Sequence, residues 1–201
     1  MPALELLFLS IFSGYMLGSL PFAYLAGRRV RVDVFSTGTG LAGAANVYRN
    51  VGHISAVVVA AGDLAKGVSV VIVADRLGVE GAWLLVSAAT AILGHWHSMF
   101  TRLRGGDGLL TLVGITLLAV PIYSLIAIGF GIAVGFRFRR QGHPTLYGGI
   151  ACYGLLLALA LLHRADNVVT SGIVTLALVV LAHAVLSHAH RNQLPENRLT
   201  L

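Results

Sequence analysis

Long apolar runs without charged residues constrain this chain more than any other feature. The runs at 109–136, 146–162 and 168–186 contain no Asp, Glu, Lys or Arg, and the run at 4–26 contains only Glu5. About 20 such residues in a helix cross the roughly 30 Å hydrocarbon core of a bilayer. Only 11% of all residues are charged, whereas soluble domains carry about 25%. The runs predict an integral membrane protein and disfavour a soluble bundle of very apolar helices.

Seven membrane-spanning helices account for this pattern. We predict them at residues 4–26, 54–74, 81–93, 109–119, 121–136, 146–162 and 168–186. The fourth helix is short and spans only about 17 Å at 1.5 Å per residue. It must therefore be shielded by its neighbours, or the turn at Val120 and Pro121 must dip into the protein. The expected fold class is an all-α polytopic membrane protein.

The distribution of arginines supports two crossings within residues 109–136. With two crossings, eleven arginines lie on one side of the membrane and only Arg76 and Arg164 on the other, while Lys66 lies within the membrane. With one crossing, the split becomes seven to six. Because cytoplasmic loops are enriched in Lys and Arg, the first arrangement is strongly preferred. It places the N-terminus outside and the C-terminus in the cytoplasm.

The start of the chain does not resemble a signal peptide. Glu5 stands where a positive region is expected, and no small-residue cleavage site follows the apolar run. We therefore expect a retained first span and one membrane-embedded domain over residues 1–201. Cys152 is the single cysteine, so no disulfide can form within the chain, and a buried structural thiol is expected.

Two glycine-rich loops fall on the arginine-rich side. The first loop, residues 38–49, is GTGLAGAANVYR, and the second loop, residues 94–108, is GHWHSMFTRLRGGDG. Glycine-rich backbone can turn its N–H groups toward an anion. We therefore expect the two loops to face each other and to form a phosphate site. In the alternative interpretation, the arginines bind lipid headgroups and the glycines only pack helices.

Polar side chains in both loops suit phosphate oxygens. Thr39 offers a hydroxyl, Asn46 an amide and Arg49 a guanidinium fork. The second loop offers Arg102, Arg104, Gly105, Gly106 and Gly108.

The first loop also contains a misleading nucleotide-binding pattern. Its glycines Gly38, Gly40 and Gly43, with Asp63 further on, imitate a dinucleotide fingerprint. However, no strand precedes the loop, and Asp63 lies in an apolar helix. No GK[ST] sequence follows either, so a Walker site is excluded.

Three ionisable residues lie within or beside the spans. Asp63 and Lys66 are three residues apart on one helix face. Charges inside a membrane are costly, so they pair, face the bundle interior or serve a site. His95 lies at the membrane edge, where it can act as an acid or base or make one structural hydrogen bond. The histidines and carboxylates do not have metal-ligand spacing, so we expect no metal and no cofactor.

Four ordered motifs resemble the bacterial acyl-phosphate-dependent glycerol-3-phosphate acyltransferases, the PlsY type. GTGLAGAANVYRNVG (38–52) resembles the family's GSGNxGATNxxRxxG, and DLAKG (63–67) resembles its DxxKG. GHWHSMFTRLRGGDGLLT (94–111) resembles GHxxPVFxxFKGGKGVAT, and TLYG (145–148) resembles SLAS. GSLPFAYLAGR (18–28) resembles the end of the family's first helix. The resemblance covers most of the chain, and the family has the seven-span topology with the N-terminus outside.

The resemblance implies a reaction and its partners. An acyl phosphate would give its acyl group to the 1-hydroxyl of sn-glycerol 3-phosphate, forming lysophosphatidic acid in a bacterial-type inner membrane. Membrane lipid is then a partner, and nucleic acid is not. The residues implied as catalytic are Thr39 and His95. The residues implied as substrate-binding are Gly38, Gly40, Gly43, Asn46, Arg49, Lys66, Arg104, Gly105, Gly106 and Gly108.

The chain departs from the family pattern at several polar positions. The family asparagine and threonine of the first loop are Leu41 and Ala45, and the arginine before that loop is Phe35. In the second loop the motif proline is Ser98, and the lysine of GGKG is Asp107. The last change puts an anion where a cation would face phosphate.

Three functional hypotheses follow from these observations. The first is an active acyltransferase. The second, motivated by Leu41, Ala45 and Asp107, is a catalytically impaired homologue that binds phosphate-bearing lipid or a partner protein. The third is a small transporter, motivated only by Asp63 and Lys66, and the absence of a detectable inverted repeat disfavours it.

Overall fold

The described part of the chain is all-helical. The structure is a computed structural model that describes residues 2–141, 144–163 and 168–192, with side chains through Ser187. The predicted connections at 137–143 and 163–167, with Arg164, and the predicted polar tail after Ser187 lie partly outside these residues. The helices are α1 (Leu4–Gly18), α2 (Phe22–Arg29), α3 (Ala44–Asn50), α4 (His53–Arg76), α5 (Ala82–Trp96), α6 (Leu109–Ala119), α7 (Pro121–Arg137), α8 (Pro144–Leu162) and α9 (Val168–Asn192).

Four helical segments of the described chain are long and apolar enough to cross a membrane. They are Leu4–Arg29, His53–Arg76, Pro144–Leu162 and Val168–Ser187. α6 and α7 are apolar but shorter, with 11 and 17 residues. The break predicted near Val120 and Pro121 is present, because α6 ends at Ala119 and α7 begins at Pro121.

The first apolar run is interrupted earlier than predicted. Instead of one helix over 4–26 with a kink near its end, α1 ends at Gly18 and α2 begins at Phe22. Pro21 lacks an N–H and its ring disfavours helix continuation, so the carbonyls just before it lose their helical donors. Those carbonyls are satisfied by side chains from α4 and the second loop, as described below.

Small residues allow the helices to pack closely around the site. α1 lies against α5, where a Cβ on Gly14 would come within 2.6 Å of the Ser87 carbonyl oxygen. α4 lies against α6 in the same manner, through Gly67 at the Thr111 carbonyl and Gly114 at the Leu64 carbonyl. Glycine at such positions lets neighbouring helices approach within backbone contact.

The core joins the helices α4 to α9, and apolar side chains also cover the outside of the protein. Ile92, Leu112 and Leu156 are almost fully buried in this core. On the outer surface, Ile54 is 84% exposed and Ile122 is 76% exposed. Apolar side chains on the outer surface are expected where lipid replaces water. The protein is thus a multi-pass membrane protein with a polar centre near one end of its helices.

Candidate active site

The two glycine-rich loops contact each other through their backbones, as predicted. The Ala42 N–H of the first loop donates to the Gly105 carbonyl of the second loop at 3.0 Å. A Cβ on Gly106 would collide with the Ala42 carbonyl and lie 2.7 Å from Nε2 of His95. Glycine at 106 therefore permits the loops to meet.

A cleft of about 60 Å³ opens where the loops meet. It is bordered by the first loop, α4, α5, the start of α6 and the start of α8. Its lining residues are Thr39, Leu41, Gly43, Ala44, Ala45, Asn46, Arg49, Asp63, His95, Asp107, Gly108, Leu109, Leu110, Pro144 and Thr145.

Asn46 organises the first loop from inside. Its side chain is 3% exposed. Its amide nitrogen lies within hydrogen-bond distance of three carbonyls, those of Val34 (2.9 Å) and Thr37 (3.0 Å) just before the loop and that of Leu41 (3.0 Å) within it. Its amide oxygen accepts from the Thr39 N–H at 3.3 Å. The structure therefore places the polar atoms of Asn46 on the loop backbone, which the sequence pattern alone did not indicate.

Glycines give the first loop its turn. Gly38 and Gly40 have positive φ values of 60° and 63°, in the left-handed region that favours glycine. A Cβ on Gly38 would collide with the side chains of Asn46 and Asn50. Thr39, between the two glycines, lines the cleft, and its hydroxyl accepts a long hydrogen bond of 3.4 Å from the Leu41 N–H.

A buried polar network joins α4, α5 and α6 behind the cleft. Asp63 Oδ1 lies 2.9 Å from Lys66 Nζ and 3.9 Å from Nδ1 of His95. The same Nδ1 atom lies 3.2 Å from the Thr111 hydroxyl. His95 is only 6% exposed. The network fixes the imidazole at the inner wall of the cleft.

Lys66 binds backbone carbonyls at the break between α1 and α2. Its ammonium donates to the Gly18 carbonyl at 3.0 Å and to the Leu20 carbonyl at 3.1 Å, in addition to its contact with Asp63. An ammonium has three donors, so these partners use its full capacity. The intervening Ser19 carbonyl accepts from the Ser98 hydroxyl at 2.6 Å. Lys66 thus lies away from the cleft, although the sequence predicted a substrate-binding role.

Arg104 also lies outside the cleft. It is exposed, and its guanidinium lies over the Phe35 ring at 5.8 Å from the centroid. Phe35 stands where the family pattern has an arginine, so a cation–π contact occupies that region. A second cavity of about 20 Å³ lies here. Arg104 lines it together with Lys66, His95, Gly105 and Gly106.

The predicted site residues therefore fall into three groups. Those that line the cleft are Thr39, Gly43, Asn46, Arg49, His95 and Gly108. Those that line only the second cavity are Lys66, Arg104, Gly105 and Gly106. Gly38 and Gly40 line neither and shape the turn.

Sequence reasoning left three polar residues out of the site. Asp63 and Thr145 line the cleft, and Thr111 holds His95. Thr111 and Thr145 belong to matched motifs, and Asp63 is an intramembrane charge, so each carried a signal.

Among the described residues, the cleft is lined by one guanidinium, that of Arg49, and by the carboxylates of Asp63 and Asp107. Arg49 is exposed, and Asp107 is partly buried at the start of α6. α6 begins after Gly108, so the N–H groups of its first turn, which have no acceptor within the helix, lie beside the cleft. Such groups favour anions. Within the described ranges, no cluster of three His, Cys, Asp or Glu side chains is placed to hold a metal ion.

The family model and the similar proteins found by comparison have the same description. The family model described as glycerol-3-phosphate acyltransferase matches residues 8–196. The chain is 31% identical over 163 residues to a glycerol-3-phosphate acyltransferase of Geotalea daltonii, covering 81% of this chain and 82% of the relative. It is 38% identical over 146 residues to a glycerol-3-phosphate acyltransferase of Thermus thermophilus, covering 72% of this chain and 73% of the relative.

Two crystal structures resemble the fold. Both are of PlsY (YgiH), an integral membrane glycerol 3-phosphate acyltransferase. Its glycerol 3-phosphate form has a TM-score of 0.74 and 26% sequence identity, and the match covers 97% of this chain and 92% of that chain. Its lysophosphatidic acid form has a TM-score of 0.72 and 25% identity, covering 96% and 91%.

Proposed function

The chain belongs to the glycerol-3-phosphate acyltransferase family, and from that membership we propose that acyl phosphate is its donor and the 1-hydroxyl of sn-glycerol 3-phosphate its acceptor. It is an acyltransferase of membrane phospholipid synthesis. The observation that carries the proposal is the cleft, where two glycine-rich loops bring Arg49, Thr39 and His95 together. Two phosphate-bearing substrates need such an anion-binding surface beside the bilayer.

The proposed reaction is a single acyl transfer. The acceptor hydroxyl oxygen bonds to the acyl carbon, and the bond from that carbon to the phosphate oxygen breaks. The products are lysophosphatidic acid and inorganic phosphate. The hydroxyl proton passes to His95 or to a substrate phosphate. The contribution of the cleft is to position both substrates and to stabilise the anionic transition state.

We assign the phosphate contacts to Arg49, the Thr39 hydroxyl and the first N–H groups of α6. Arg49 supplies the guanidinium among the described residues of the cleft, and its fork matches phosphate oxygens. The glycines of both loops allow the backbone to approach the substrates. Lys66 and Arg104 support this surface from the second cavity.

His95 is the protein group that we propose as the proton acceptor, with a substrate phosphate as the alternative. When Nδ1–H donates to the Thr111 hydroxyl, Nε2 keeps its lone pair and can accept the proton. Asp63, 3.9 Å from Nδ1, then stabilises the imidazolium that forms. The same arrangement serves a neutral imidazole that only orients a substrate, so the pH dependence of an H95Q variant distinguishes the two roles.

Acyl transfer is tested with purified protein, acyl phosphate and labelled glycerol 3-phosphate. The expected product is labelled lysophosphatidic acid, and R49A is expected to lose most of the activity because it removes the phosphate fork. Boiled protein is the blank, and R76A, at the other end of α4, is the matched control. A folded wild-type protein that yields no product above the blank would refute the proposal.

We further propose seven spans in a bacterial-type inner membrane, with the N-terminus outside and the C-terminus in the cytoplasm, in a single domain over residues 1–201. The arginine distribution supports this topology, and the break between α6 and α7 provides the required turn. In a C152S background, cysteines introduced at Arg49 and Arg139 should be labelled from the same face. Labelling from opposite faces would contradict seven spans.

A second candidate function is phosphate-lipid binding without turnover. It is favoured by Asp107, Leu41 and Ala45, which line the cleft where the family pattern has polar or cationic residues. This function predicts saturable binding of labelled lysophosphatidic acid by a folded protein that forms none from acyl phosphate.

A further inference from the structure

The indole of Trp96 holds the backbone of the second loop at the cleft. Trp96 is the last residue of α5, and its Nε1–H donates to the Asp107 carbonyl at 2.9 Å. Gly108 follows with φ of 82°, and a Cβ there would lie 3.1 Å from the same Nε1 atom. Asp107 and Gly108 both line the cleft. The indole therefore contacts the segment through which the second loop enters α6.

The indole is itself held from α9. The His183 ring stacks on Trp96 with centroids 4.2 Å apart and an interplanar angle of 17°. Stacking fixes the plane of the indole, and the plane sets the direction of the Nε1–H bond. Two helices thus determine where the Asp107 carbonyl can point.

The direction of that carbonyl has a consequence for the next N–H group. In a planar trans peptide, the C=O and N–H bonds point to opposite sides. Because the Asp107 carbonyl points to the indole, the Gly108 N–H points away from it. Among the described residues, this N–H has no backbone hydrogen-bond acceptor. It adjoins the unsatisfied N–H groups of the first turn of α6.

We infer that Trp96 is a positioning residue, which fixes the Asp107–Gly108 peptide so that the Gly108 N–H donates to a substrate phosphate, with His183 holding the indole plane. The inference rests on the proposed function, because it takes the cleft as the phosphate site. Neither residue is among the matched family positions: Trp96 occupies a variable position of its motif, and His183 lies outside all four motifs. A flipped peptide would aim a carbonyl at the phosphate.

The kinetic test compares W96F with W83F. Phe keeps the aromatic stack but lacks the donor, so the peptide can turn. One charge-assisted hydrogen bond lost in both ground and transition states raises KM about tenfold and leaves kcat nearly unchanged. Trp83 is the other tryptophan, lies at the opposite end of α5 and is the matched control with unchanged constants. H183A should give a smaller rise in KM, because the donor remains but its plane is released.

A spectroscopic test needs no change at position 96. In W83F, Trp96 is the sole tryptophan, so its fluorescence reports on the loop during titration with glycerol 3-phosphate or inorganic phosphate. We expect a saturable change, and in W83F/H183A its half-saturation should move to a higher concentration, by less than the rise in KM of W96F.

The outcomes separate the inference from the proposed function. If wild-type protein makes product and W96F keeps the wild-type KM, the inference is wrong and the function stands. A fall in kcat alone would also overturn it. If no product forms, the proposed function fails, and the phosphate titration still decides the inference. If W96F does not fold, an unchanged Trp96 emission in phosphate-titrated W83F overturns it.

Discussion

The two loops of the cleft are held in opposite ways. The first loop is held locally, by the single side chain of Asn46 on the Leu41 carbonyl and on the Val34 and Thr37 carbonyls just before the loop. The second loop is anchored to other helices: its Trp96 indole donates to the Asp107 carbonyl and stacks on His183 of α9, and its Ser98 hydroxyl donates to the Ser19 carbonyl next to α1. One loop depends on a local contact, and the other depends on the packing of several helices.

This difference predicts how substitutions near each loop should affect activity and stability. A substitution in the first loop should remove its shape while the helices remain packed, so activity falls without general unfolding. A substitution behind the second loop should disturb helix packing and the loop together. The ratio of lost activity to lost stability therefore distinguishes the two loops.

Asn46→Leu should have the largest effect on activity. It leaves the carbonyls of Val34, Thr37 and Leu41 without their side-chain donor. Because each buried carbonyl left unsatisfied would cost about 1–3 kcal/mol, the loop should instead open locally to hydrate them, and activity should fall more than about 100-fold. The measurement is lysophosphatidic acid formation beside the thermal unfolding midpoint, which should change by only a few degrees.

Asn50→Ala is the matched control for the first loop. Asn50 donates to the amide oxygen of Asn46 at 2.8 Å but is exposed. Its loss should reduce activity less than about tenfold, since a typical hydrogen bond contributes about 0.5–1.5 kcal/mol. Equal losses of activity in N46L and N50A would contradict the role of Asn46 in holding the first loop.

Lys66→Met should have the largest effect on stability. It tests the helix packing behind the second loop. It leaves the Asp63 carboxylate buried without its partner and removes the donor to Gly18 and Leu20. Removing one member of a buried ion pair costs about 3–5 kcal/mol. We expect a large drop in the unfolding midpoint in detergent, with activity falling in proportion to the folded fraction.

The double variant D63L/K66M separates charge from hydrogen bonding. Because it leaves no unpaired charge, it should recover part of the lost stability. The remaining deficit belongs to the carbonyls of the break between α1 and α2. The exposed neighbour Ala65 supplies the control A65M, which should match wild type. A double variant less stable than K66M would show that the network acts in another way.

Gly106→Ala tests the contact between the loops. A Cβ at 106 would collide with the Ala42 carbonyl and approach Nε2 of His95. Overpacking lowers the free energy of unfolding by about 1–3 kcal/mol. The unfolding midpoint should therefore fall, and activity should drop about tenfold as the loops separate. Gly43→Ala is the matched change in the first loop. Its φ of −135° is ordinary, and a Cβ there meets no atom within 4 Å. A midpoint in G43A as low as that in G106A would contradict the steric explanation.

Apolar run length and charge placed the long apolar helices, because the bilayer fixes the length and polarity of a span, whereas α2 and α3 were not predicted as separate helices. α6 was predicted at the residues where it is found, 109–119. The break after Gly18 was misplaced for a physical reason. Pro21 marks a break, but where the helix ends depends on donors 46 and 48 residues away in the chain, on Lys66.

The sequence was enough to predict that the backbones of the two loops meet. It was not enough to predict which way the polar side chains of the site point. Glycine spacing indicates where a chain can approach another chain or a ligand, and the contact between the loops follows from it. A polar side chain in the same loop can face the ligand or the loop's own carbonyls. Asn46 and Lys66 are directed at carbonyls, and only the tertiary arrangement distinguishes these possibilities.

Asp107→Asn should have the smallest effect, and an increase in activity. Asp107 lines the cleft at the position where the family motif has lysine. Two unit charges about 4 Å apart interact by roughly 4 kcal/mol at an effective dielectric of 20, and partial exposure with salt screening reduces this greatly. We expect KM for glycerol 3-phosphate to fall about threefold. The hydrogen bond from Trp96 should remain, because it uses the Asp107 backbone carbonyl.

Ionic strength tests whether the gain is electrostatic. The difference between D107N and wild type should shrink as salt is raised from about 0.01 to 1 M, since the screening length falls from about 30 to 3 Å. Asp75→Asn, at the far end of α4, is the control and should leave KM unchanged at every salt concentration. If D107N instead loses activity, the carboxylate has a role of its own in the cleft. The second loop would then be anchored to α9 through Trp96 and also held locally by the Asp107 side chain, so the two loops would differ less in how they are held.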